Sequence, residues 1–115
     1  MAGTAALMLA LSLAPALAHS KIKSSVPRSG GTVKAGLDRL EFGFRKPVRL
    51  ILVRMKRTDG SAKTLPAVQR PRAKFAIDTA VAIEPLSAGR YALMWTAIAK
   101  DGHVMKGTIA FTVAP

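Results

Sequence analysis

The sequence predicts an all-β domain, an antiparallel β-sandwich or barrel. Three observations lead there. Apolar and polar residues alternate with period two in several short segments, the spacing that puts one face of a strand on a core and the other in water. No segment after residue 18 sustains the 3.6-residue period of an amphipathic helix. Turn residues recur at short intervals, at Pro27, Gly30-Gly31, Gly36, Pro47, Asp59-Gly60, Pro66, Pro71, Pro85, Gly89, Gly102 and Gly107.

The elements follow in order. Residues 1–18 carry no charge and contain the apolar run Ala5-Ala6-Leu7-Met8-Leu9-Ala10-Leu11. The run is too short for a membrane span and reads as the hydrophobic region of a secretory signal peptide. It ends at Ala16-Leu17-Ala18, a small-x-small site of the kind signal peptidase cuts, so the expected division is a signal peptide over 1–18 and one mature domain over 19–115. No Lys or Arg precedes the run, which points to a translation start further upstream. The first strand places Leu40, Phe42 and Phe44 on one face. Ile51, Val53 and Met55 alternate with Leu52, Arg54 and Lys56 in a second, and Asp59-Gly60 forms a hairpin turn between Met55 and Thr64. Ala62–Ala73, with Pro66 and Pro71, reads as a long loop. Phe75 and Ile77 then alternate with Lys74 and Asp78, Tyr91, Leu93 and Trp95 with Ala92 and Met94, and Ile109, Phe111 and Val113 with Ala110 and Thr112.

Composition bounds the chemistry. The 115-residue chain contains no cysteine, which excludes disulfides and thiolate metal sites. Its formal net charge is +12, with every charge after residue 18. Such a balance attracts anions, but the basic residues are spread along the chain and most aromatics alternate as strand-core residues. Nucleic acid is therefore not an expected partner; a solvated basic surface is. No nucleophile–histidine grouping and no phosphate-binding glycine loop is present, and six acids leave little scope for paired catalytic carboxylates.

Only two histidines occur, and their placement is informative. Cleavage after Ala18 makes His19 the mature N-terminus, offering a free α-amine and an imidazole to one metal ion. His103 ends Asp101-Gly102-His103. In an extended strand a carboxylate and an imidazole at i and i+2 point to the same face. Amine, two imidazoles and a carboxylate make an N/O donor set suited to tetragonal Cu(II). The candidate metal ligands are His19, Asp101 and His103. Asp101 also suits an Asp-Gly turn without a metal. Met55, Met94 and Met105 read as core or edge filler, with Met105 placed to approach the ion axially; Trp95 reads as core.

At these residues the chain resembles the CopC family of periplasmic copper-binding proteins. The resemblance runs through Ser24-Ser25-Val26-Pro27-Arg28-Ser29-Gly30-Gly31, Leu40-Glu41-Phe42-Gly43-Phe44 with Pro47-Val48, Glu84-Pro85-Leu86-Ser87-Ala88-Gly89-Arg90-Tyr91, and the closing block Trp95 … Lys100-Asp101-Gly102-His103 … Gly107-Thr108-Ile109-Ala110-Phe111-Thr112-Val113. It implies a Greek-key β-sandwich or barrel, immunoglobulin-like or cupredoxin-like, and a Cu(II) site of His19, Asp101 and His103. It also implies a CopD-type inner-membrane partner, here expected to be a separate polypeptide. The chain departs from the family in several places. Ala62–Ala73 has neither the methionines nor the histidine of the Cu(I)-binding loop that some members carry, which puts a Cu(I) site in doubt. Arg45-Lys46 stand where some members place an acidic residue near the copper. Val104 follows the final histidine in place of a proline, and Ala99 replaces a small polar residue.

The expected function is thus periplasmic Cu(II) binding for copper homeostasis or resistance by a monomer, with delivery or sequestration of the ion and no catalysis. Two other readings compete. A basic β-sandwich that binds an anionic polymer or a membrane surface would show steep salt dependence and indifference to His19. An N-terminal histidine with a second histidine also forms the copper brace of oxidative polysaccharide-cleaving enzymes. That chemistry needs an open copper position and a broad substrate face. Here Asp101 would fill an equatorial position, and so short a domain offers little such surface.

Overall fold

The computed structural model describes residue 3, residues 22–60 and residues 63–115. Among the described residues the fold is all-β, with seven strands: β1 (Ile22–Val26), β2 (Thr32–Lys34), β3 (Arg39–Arg57), β4 (Val68–Gln69), β5 (Ala76–Ala82), β6 (Gly89–Ala99) and β7 (Val104–Ala114). They join in one curled sheet whose main path is β1-β3-β6-β7-β2, with β4 and β5 also on β3. All pairings are antiparallel except β2 with β7.

The two segments expected around Phe42 and Val53 are one 19-residue strand, β3. Its first half lies between β1 and β5, and its second half pairs with β6 and β4. Pairing with β5 breaks between Gly43 and Val48. Pro47, which has no N–H to donate to a ladder, falls within that break, so β3 passes through it without losing a hydrogen bond. Phe44 is buried before the bend and Val48 after it, while Arg45 and Lys46 between them are exposed. A strand that turns from one half of a curled sheet to the other closes both halves over one core.

A second irregularity corrects the expected face of the later segment. Leu50 pairs with Ala97 and Leu52 with Thr96, so Ile51 is the extra residue of a bulge. The inward set shifts from Val48 and Leu50 to Val53 and Met55, and Ile51 and Leu52 are left half-buried. Simple alternation through Ile51, Val53 and Met55 misses this one-residue slip.

The core comprises Leu40, Phe42 and Phe44 of early β3, Tyr91, Leu93, Trp95 and Ala97 of β6, and Ile109, Phe111 and Val113 of β7, all buried as the alternation predicts. Phe44 meets Trp95 edge to face with centroids 5.5 Å apart, and Tyr91 stacks on Phe111 at 5.5 Å. Phe75 is the exception among the aromatics. It is 41% exposed and Ile77 is 47% exposed, so that expected core face is solvent-facing. Both flank the start of β5, opposite the bend in β3, where the partner strand has turned away. Val81 supplies β5's buried side chain.

The Asp59-Gly60 hairpin is present: Arg57 N–H donates to Lys63 O at 2.8 Å and Leu65 N–H to Met55 O at 2.9 Å. The loop beyond it is more regular than expected, since Val68 and Gln69 pair with Val53 and Leu52.

Trp95 and Gly107 lie directly opposite one another on β6 and β7. A Cβ on Gly107 would sit 2.5 Å from the indole, so the glycine makes room for the ring. Gly107→Val is expected to destabilise the protein by about 1–3 kcal/mol, the usual cost of overpacking a close-fitted core. Chemical denaturation checks this, and an unchanged midpoint would show that the indole moves aside without cost.

Candidate metal centre

β6 and β7 are joined by the turn that carries two of the three candidate ligands. Ala99 N–H donates to His103 O at 2.9 Å, and Gly102 N–H closes the turn on Ala99 O at 3.0 Å. Gly102 has φ +89°, the left-handed conformation that completes a short hairpin loop of this form. Asp101 and His103 therefore converge through a turn, not through the shared face of an extended strand, as simple i, i+2 spacing predicts.

Inside the turn Asp101 grips His103 twice. Its Oδ1 accepts from the His103 backbone N–H at 3.0 Å, and its Oδ2 lies 2.8 Å from His103 Nδ1. An ionised carboxylate only accepts, so in the neutral ring Nδ1 carries the proton and Nε2 keeps its lone pair. A carboxylate on one ring nitrogen fixes the orientation of the other, as behind many metal-ligating histidines. Both side chains are exposed, so the free Nε2 opens to solvent. The His103 backbone N–H, and then its ring N–H, hold the Asp101 carboxyl below its ordinary pKa.

Met105, two residues on, is buried and lines a cavity of about 290 Å³ together with Phe44, Arg45, Lys46 and Asp101. Its inward packing fits the core-filler reading. Met55 is buried as well, whereas Met94 is 48% exposed on the outer face of β6.

His19 lies outside the described residues, as does the expected signal peptide over 1–18 apart from residue 3. Among the described residues no group of three His, Cys, Asp or Glu side chains comes together. The site-facing role of Arg45 and Lys46 rests on the bend at Pro47, which alternation does not reveal. The proline within an otherwise continuous strand pattern is the signal that marks it.

The CopC domain family matches residues 22–114. The chain belongs to the CopC family. Two relatives are each called copper resistance protein C. That of Escherichia coli is 30% identical over 106 residues, covering 85% of this chain and 83% of the relative. That of Xanthomonas campestris pv. juglandis is 30% identical over 122 residues, covering 96% and 93%. Among solved structures, CopC from Methylosinus trichosporium OB3b superposes with TM-score 0.69 at 20% identity, covering 84% of this chain and 95% of that one, which speaks for the fold. PcoC, a methionine-rich copper resistance protein from Escherichia coli, superposes with TM-score 0.62 at 27% identity, covering 81% and 96%. The sandwich architecture expected from the alternation is the architecture of these neighbours.

The Asp101 carboxyl titration reports the turn directly. Its pKa is lowered, so the stability that these hydrogen bonds contribute is present above the ordinary carboxylate pKa. That stability is lost as pH falls through the lowered value. Carboxyl-carbon NMR of the metal-free protein is expected to give a midpoint below 3.8. In His103→Ala the depression shrinks but persists, because the backbone N–H remains. A wild-type midpoint at or above the ordinary value would show that the turn does not hold in solution.

Proposed function

We infer that this chain is an exported, periplasmic carrier of Cu(II). In this reading the ion is cargo, bound by His19 through its α-amine and imidazole, by His103 through Nε2, and by Asp101. The observation that carries it is the Asp101–His103 turn, with its oriented imidazole, at the end of the sheet where β1 begins. Ile22 pairs with Phe44, one residue before the bend, and the bend residues share a cavity with Asp101. Ile22 is three residue steps from His19, a span of at most about 11 Å when extended. An N-terminal histidine is thus within reach of the turn. The copper resistance proteins among the relatives support the metal, and the N/O donor set supports its cupric state.

Release requires only ligand exchange, with no bond chemistry. Capture and transfer are the function in this reading, with a CopD-type membrane protein as a separate acceptor or donor. Asp101 already accepts two hydrogen bonds but retains further lone pairs, so it can orient His103 and contribute an oxygen to the ion.

N-terminal sequencing of the exported protein is expected to begin at His19, and copper titration to give one Cu(II) per chain with a tetragonal, nitrogen-rich electron paramagnetic resonance spectrum. Placing one alanine before His19 is expected to weaken Cu(II) binding by orders of magnitude while leaving the melting temperature of the metal-free protein unchanged. The α-amine leaves the chelate and no core residue is touched. Equal affinities would remove the terminus from the site.

Oxidation state gives an independent check. Cu(I) prefers soft sulfur ligands. Residues 62–73 contain no methionine, and Met55 and Met105 are buried. Under anaerobic reducing conditions a Cu(I) chelator is expected to strip the metal readily. Tight retention would mean that the methionines form a site of their own.

A further inference from the structure

The bend in β3 sets two cations beside the candidate copper turn. Arg45 and Lys46 are both exposed, and among the described residues no carboxylate lies within 4.0 Å of either. They line the 290 Å³ cavity together with Asp101 and with the buried Phe44 and Met105. Next to it, at the start of β5, stands Phe75, 41% exposed, with the Arg49 guanidinium 5.6 Å and the Lys100 ammonium 5.9 Å from its ring centre. Ala76, which follows Phe75, pairs with Val48, another residue of the cavity. The copper end therefore combines a concavity, a cationic wall and an exposed aromatic.

We propose that this end is a docking face for an acidic polypeptide segment of the copper-exchange partner, one of whose carboxylates enters the cavity between Arg45, Lys46 and Asp101. The proposal rests on the carrier reading and names the chemistry of the exchange partner. Three features favour a protein over other anions. The cavity is concave and of side-chain size, whereas a membrane presents a plane of headgroups. An exposed aromatic flanked by cations is the composition of interface anchors. Asp101 excludes dense negative charge from the cavity but leaves room for one carboxylate held by two cations. A carboxylate delivered there arrives beside the His103 turn, where it can compete for the ion. The cations thus steer the partner and concentrate an incoming oxygen ligand at the site of exchange.

Hexaglutamate is the probe, titrated by calorimetry and NMR into the processed protein, metal-free and copper-loaded. Binding is expected to perturb the amides of Phe75, Ala99 and Met105. Arg45→Glu with Lys46→Glu is expected to weaken it about tenfold or more. Lys34→Glu with Lys56→Glu carries the same charge change on strand segments at the opposite end of the sheet, and is expected to weaken it by less than about threefold. Arg45→Gln with Lys46→Gln serves as the milder pair, and circular dichroism checks the fold of each. Equal losses from the two ends would show only the pull of bulk charge and overturn the proposal. So would an absence of binding, or binding to phosphatidylglycerol vesicles that depends on Arg45 and Lys46 when hexaglutamate does not bind. Cu(II) titration of the same proteins separates the two layers. A wild-type protein that takes up no copper defeats the carrier reading, whereas copper uptake without end-specific peptide binding defeats only the docking face.

Discussion

One strand makes this domain a closed body instead of two ribbons. β3 pairs with β1 and β5 over its first half and with β6 and β4 over its second, so both halves of the sheet depend on the bend between Gly43 and Val48. The constraint is stereochemical. The chain must keep Phe44 and Val48 on the core while changing partners, so the residues between them cannot also be inside. Pro47 suits that interval because no ladder bond is asked of it. The outward turn then exposes Arg45 and Lys46 at the end of the sheet where the Asp101–His103 turn lies. The core and the electrostatics of the candidate site follow from the same three-residue detour.

The two ends of the sheet treat their charges differently. At the end away from the site, the Arg57 guanidinium donates to Asp59 Oδ1 at 3.1 Å and to Ala88 O at 3.0 Å, and lies 5.6 Å from the Tyr91 ring centre. Asp59 also accepts from Arg90 N–H, and these two donors, Arg57 foremost, hold its carboxyl below the usual range. The Tyr91 hydroxyl donates to Ser87 O at 2.7 Å. That network ties β3, the β5–β6 connection and the hairpin turn together. At the site end Asp101 bonds within its own turn. The cations beside it are left without carboxylate partners among the described residues.

Much of the fold was legible in the sequence because period-two alternation leaves one reading for β6 and β7. Tyr91, Leu93, Trp95, Ile109, Phe111 and Val113 all face the core as expected. What was not legible lies where the backbone departs from the pleat. The bulge at Ile51 moves the buried set by one residue, and no local signal in a run of apolar residues marks it. Phe75 and Ile77 alternate correctly but face solvent, because burial depends on whether a partner layer exists above them. The short parallel strand β2 has too few residues to carry a pattern. Asp101 and His103 were found by residue type, and the close pairing of their side chains is real, but the geometry that joins them is a turn with Gly102 at positive φ.

The turn also explains why so small a constellation suffices for a metal reading. A solitary exposed histidine offers two interchangeable nitrogens and rotates freely, so it loses entropy when it coordinates. Here Asp101 fixes the tautomer and orients the ring, and the backbone N–H of the same residue holds Asp101 in turn. Three residues thereby present one defined lone pair without help from the core. A ligand so prepared can be exposed and still be selective, as the proposed carrier role requires. Burial would strengthen the grip on the metal but block the incoming ligand of an acceptor. Exposure with local preorganisation would keep both steps open for the proposed carrier.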